Sequence, residues 1–135
     1  MQNESDNQQP LYSGPVVAAS LSLLLAFLTL MISHHVSRLT KELDKIIHAY
    51  GHWIPGSTGS GPTGSIGSYS GKETLALIVW LVSWLILHML WRKQDYSLHA
   101  WIPLFLGGLG LITLGFFHPL TDPVVLFLAG IFGIL

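Results

Sequence analysis

Cysteine is absent from the 135 residues of this chain. That excludes disulfides, thiolate zinc sites and cysteine-ligated iron–sulfur clusters, and leaves the redox compartment unread. Charge is scarce as well: six Lys and Arg against seven Asp and Glu, a net charge of −1. Such a balance offers no long-range attraction to nucleic acid, which drops out as a partner. No Asp or Glu falls inside any long apolar run, which argues against a proton pump or ion-coupled transporter, since those need ionisable groups within the membrane. G-x-S-x-G, H-E-x-x-H and a phosphate-binding G-K-[ST] ending are also missing. No pair of carboxylates sits in a setting for acid–base work. The expectation is a non-catalytic protein.

Long apolar runs are what the chain has in quantity. Half of its residues are hydrophobic, too many for an ordinary soluble domain with so few charges. The organising stretch is KETLALIVWLVSWLILHMLWR, Lys72 to Arg92, which carries no charge between Glu73 and Arg92. About 20 residues at ~1.5 Å each match a ~30 Å hydrocarbon core. Ser70 and Glu73 have the S-x-x-E spacing of a capping box, and Trp91 with Arg92 and Lys93 mark an interfacial end. The fold class expected is an all-α integral membrane protein with three transmembrane helices and a short C-terminal apolar helix.

In chain order, residues 1–14 are polar with no Lys or Arg, and are expected as a short disordered tail rather than a signal peptide, which wants a basic start. A first span covers 15–33, opening at Pro15, where a missing amide costs nothing. Helical spacing then continues through residues 34–50: Val36, Leu39, Leu43, Ile46, Ile47 and Tyr50 recur three or four apart, with Arg38, Lys41, Glu42, Lys45 and His48 between. The spacing predicts one long helix from Pro15 to Tyr50, stopped by Gly51. Its outer stripe either lies on the membrane surface after a bend or docks on a partner subunit.

Residues 51–71 form a Gly/Ser-rich segment, expected as a flexible linker. Its alternative is an ordered loop anchored on a partner through Trp53, Ile54, Ile66 and Tyr69. After the span 72–92 comes a tight hairpin, then a third span over 99–117 with Pro103 in its first turn and Trp101 at the interface. Gly108 and Gly115, seven apart, mark the face expected to pack on helix one or two, because small residues let backbones approach. His118-Pro119 is expected to end that span. Thr121-Asp122-Pro123 then reads as a new helix start, and residues 122–135 as an apolar helix too short for a full span.

Seven histidines are the one unusual polar investment. Counting spans puts His34 and His35 on the same surface as His118, and His88 on the same surface as His99. Two imidazole pairs on opposite sides of a bundle are a pattern for b-type haem; quinone or pigment binding is the related possibility, helped by the Trp80, Trp84, Leu87, Trp91 stripe. Against it, most of these histidines sit at helix ends, where interfacial water satisfies them. His48 and His52 are four apart but straddle Gly51 and have no acidic third ligand, so no metal site is expected.

The function expected is an accessory or assembly subunit of a larger membrane complex. Its partners would be the lipid bilayer and other membrane subunits, contacted through Val36, Leu39, Leu43, Ile46, Ile47, Tyr50 and Trp53. The alternative is a cofactor-binding electron-transfer protein using His34, His35, His88, His99 and His118. Arg38, Lys41, Lys45 and Lys72 lie in the first connection and no basic residue in the tail. By the positive-inside rule the N-terminus is then expected outside, in a bacterial inner or other energy-transducing membrane. Arg92 and Lys93 count against that orientation.

Overall fold

A computed structural model describes residues 11–58 and 67–134. The chain is all-helical in these residues: α1 (Gly14–Leu39), α2 (Lys41–Ala49), α3 (Tyr69–Trp91), α4 (Leu98–Gly115) and α5 (His118–Ile131). Three helices, α1, α3 and α4, are long and apolar enough to cross a membrane, so the chain reads as membrane-embedded. Most of the polar tail, and residues 59–66 of the Gly/Ser-rich segment with Ile66, lie outside the described residues.

α1 and α3 form the closest pair, and glycine is the reason. A Cβ on Gly14 would overlap the Trp91 carbonyl, so the start of α1 lies directly on the end of α3. The antiparallel register is tied by the α3–α4 turn: the Gly14 amide donates to the Gln94 carbonyl at 2.9 Å, and the Ser13 amide to Asp95 Oδ1 at 3.0 Å. Ser13 Oγ also accepts from the Tyr96 amide at 2.6 Å. α4 runs parallel to α1, with the Trp101 indole donating to Ser20 Oγ at 2.7 Å. Further along, Gly108 faces Leu24 and Gly115 faces Met31. None of α4's residues is buried within the chain, which suits a helix whose remaining surface meets lipid tails.

Four sequence readings need correction. The continuous helix from Pro15 to Tyr50 is broken at Thr40, whose backbone is extended (φ −141, ψ 156) and whose Oγ1 accepts the Leu43 amide at 3.2 Å as the cap of α2. A Thr cap followed by Glu42 and Asp44 in the first turn is a new helix start that suits the dipole. The capping box at Ser70 does not form: α3 starts earlier, and Ser70 Oγ donates to the Gly67 carbonyl at 3.2 Å. Pro103 lies inside α4 rather than in its first turn, leaving the His99 carbonyl without its usual helical donor. Finally, His118-Pro119 opens α5 instead of closing the third span, because proline is accommodated in a first turn. Asp122 is thereby inside a helix, one turn after His118.

α2 is not left without a partner in the chain. Gly71 sits so close to the Ile47 carbonyl that no side chain fits between them, and Ile47 is buried. Beyond α2, the Trp53 indole donates to Thr74 Oγ1 at 3.0 Å. His48 Nε2 bonds the Ser57 carbonyl at 2.9 Å. Lys72, buried near the start of α3, places its Nζ 4.6 Å over the Tyr69 ring.

Candidate functional site

The richest concentration of polar chemistry lies where the end of α1 meets the start of α5. α1 contributes His34, His35 and Arg38, within four positions and therefore on one side of the helix. α5 contributes His118 and Asp122, four apart and likewise on one face. The short turn after Gly115 places these two faces together.

His35 is the buried member at 7% exposure. Its Nε2 donates to the Gly115 carbonyl at 2.7 Å, one of the orphan acceptors at the end of α4. That bond directs Nδ1 toward Asp122, whose Oδ1 is 4.0 Å away. Asp122 Oδ1 also lies 3.2 Å from His118 Nδ1 and 3.3 Å from Arg38 Nη1. Arg38 Nη1 contacts His118 Nδ1 as well. On the other side of the His118 ring, Nε2 is 3.2 Å from His34 Nε2.

A guanidinium only donates and a carboxylate only accepts, and His118 Nδ1 faces both, Arg38 Nη1 on one side and Asp122 Oδ1 at 3.2 Å. Arg38 Nη1 also lies 3.2 Å from His118 Nε2. The arrangement is a chain of oriented imidazoles ending on one carboxylate, with Arg38 as its counter-ion.

Two cavities open beside it. One of about 230 Å³ is lined by His35, Arg38, Leu39, Asp122, Val125 and Leu126. The other, about 360 Å³ and apolar, runs between α1 and α5 past Met31, Val36, Leu128 and Phe132, and shares His35, Leu39 and Val125 with the first. A polar end thus continues into an apolar groove.

The other sequence-nominated histidines do not assemble. His88 lies against the Trp84 ring, centroids 5.5 Å apart, and no bond joins it to exposed His99 among the described residues. His34 and His118 meet nitrogen to nitrogen at 3.2 Å. That is less than the ~4 Å that two metal–nitrogen bonds of ~2 Å span across an axial pair. Of the partner-facing stripe, Val36 and Leu39 line the α1–α5 groove and Leu43 is half-buried. Ile46, Tyr50 and Trp53 are more than half exposed, at 54%, 53% and 65%.

Arg38 and Asp122 are the site residues that sequence reasoning missed. The signal for Asp122 was the H-x-x-x-D spacing of 118 and 122, hidden by reading Pro119 as a stop. Searched against known protein families, characterised proteins and solved structures, the chain matches none.

Proposed function

We propose that this chain is a small, non-catalytic integral membrane protein that serves as an accessory or assembly subunit of a larger membrane complex. The observation that carries the reading is the apolar trio Ile46, Tyr50 and Trp53, exposed on α2 and the segment after it. These residues lie outside the three apolar helices, next to a helix turn rich in charge. α2 itself is docked by Ile47 on α3, so the exposed trio is held in a fixed place. An aromatic-containing patch held still costs little entropy when a partner covers it. The short α5, 14 residues and about 21 Å long, is then a partly crossing helix beside α1. The basic residues of α2 put that end on the cytoplasmic or equivalent side and the N-terminus opposite.

The test is native gel electrophoresis of gently solubilised membranes, with companions identified by mass spectrometry. Co-migration with a stoichiometric assembly, lost on replacing Ile46 and Tyr50 with Glu, supports the reading. Migration as a monomer or small homo-oligomer sinks it.

A second reading, a membrane protein holding a quinone or pigment, is favoured by the α1–α5 groove. A polar head beside His35 and Asp122 and an apolar body along Met31 and Phe132 match such a ligand. Extraction of the purified chain with organic solvent and an ultraviolet–visible spectrum checks it: no chromophore in stoichiometric amount ends that reading.

A further inference from the structure

We propose that His35, His118 and Asp122 form a binding site for a divalent transition metal, Zn²⁺ above others, that fastens α5 to α1. The inference stands apart from the subunit reading, and uses the same His35 and Asp122 beside which the second reading sets a ligand's polar head.

The ligand atoms of these three residues all lie within 4.8 Å of one another. His118 Nδ1 and Asp122 Oδ1 are 3.2 Å apart, already near the ~3.3 Å edge of a tetrahedron built on ~2.0 Å metal bonds. His35 Nδ1 is 4.0 Å from the same oxygen and closes the triad by moving inward. Both imidazoles are oriented from behind, as ligating histidines are. His35 Nε2 holds the Gly115 carbonyl and His118 Nε2 holds His34. The Nδ1 atoms of both rings lie on the side facing the carboxylate.

Asp122 Oδ1 gathers positive partners at that point: His118 Nδ1 is 3.2 Å from it and Arg38 Nη1 3.3 Å. A metal takes the place of the His118 Nδ1 proton and meets one competitor for the carboxylate, Arg38. Its side chain is 46% exposed and free to swing to solvent. A compact divalent ion supplies more charge at the same focus and leaves a fourth position for water. Two nitrogens and one oxygen without sulfur suit Zn²⁺, Ni²⁺ or Co²⁺ rather than Mg²⁺ or Ca²⁺.

The experiment uses the full chain without a polyhistidine tag, in lipid nanodiscs. Zn²⁺ is titrated calorimetrically, and Co²⁺ absorption reports coordination geometry. One Zn²⁺ per chain is expected, with binding weakened by about 10-fold or more in His118→Ala and in Asp122→Asn. Arg38→Ala should bind Zn²⁺ at least as tightly as the parent, because it removes a competing cation. A plain ion-pair network predicts no such retention. His48→Ala controls for the neighbouring His48–His52 pair, whose rings are 5.0 Å apart. Helix content by circular dichroism confirms that each variant is folded. Absence of Zn²⁺ binding by the parent overturns the proposal, and so does binding that survives Asp122→Asn but is lost in His48→Ala.

Discussion

The α1–α3 half and the α4–α5 half of this molecule are held together by different physics. In the first, glycines at 14 and 71 bring one backbone onto another, against the Trp91 and Ile47 carbonyls. Close packing leads there, beside the hydrogen bonds that tie Ser13 and Gly14 to the α3–α4 turn. In the second, α4 buries no residue and its Gly107 and Gly110 face open space. It is attached to α1 by separate points: Trp101 on Ser20, Leu24 and Met31 against glycines, His35 on the Gly115 carbonyl. Lipid is as apolar as leucine, so association inside a membrane rests on close fit and polar bonds rather than on a hydrophobic drive. The first half uses fit. The second uses polar bonds, and its ionisable groups are gathered at the far end, where α5 returns to α1.

The contrast breaks most sharply at glycine. Gly71→Leu drives a side chain into the Ile47 carbonyl and should cost about 3 kcal/mol or more, the upper range for overpacking, while Gly107→Leu should stay within about 0.5 kcal/mol. Unfolding in mixed detergent micelles measures both, and equal losses would erase the distinction between the halves. Trp101→Phe removes one interhelical bond and should cost about 1 kcal/mol in the same assay, in the range found for such bonds in membranes. Asp122→Asn should cost less than about 1 kcal/mol globally, since its carboxylate is partly exposed. It should nonetheless speed amide exchange in α5 selectively, because Arg38 and His118 lose their common charged acceptor. His88→Leu should change stability by no more than about 0.5 kcal/mol, since the ring stacks against Trp84 and joins no polar cluster among the described residues. A larger loss would mark a role at the opposite surface.

Hydropathy made the three apolar helices legible, because it sums over ~20 residues and tolerates local error. Breaks between helices depend on single residues and were harder. Thr40 carried a cap signal, but the apolar spacing on either side of it stayed in phase and masked the break. Pro119 has two meanings, a stop and a first-turn residue, and choosing the stop placed Asp122 on a cap. Span counting puts His34, His35 and His118 at one surface, where the structure has them in contact. The roles of Arg38 and Asp122 were not legible without α5's true start. The intrachain cover on Ile47 was equally hidden, since it depends on Gly71, 24 positions away in sequence.

The His–Asp cluster and the apolar groove beside it both depend on α5 folding back along α1. The most direct measurement is cross-linking in native membranes, made simple by the absence of cysteine. Leu39→Cys and Val125→Cys line the same two cavities, and a short bifunctional maleimide should join them within one chain. The pair Leu39→Cys with Leu104→Cys, whose second member lies toward the opposite end of the parallel helix α4, should not join. If the first pair labels singly but does not cross-link, α5 is not against α1 and the cluster does not exist in the membrane.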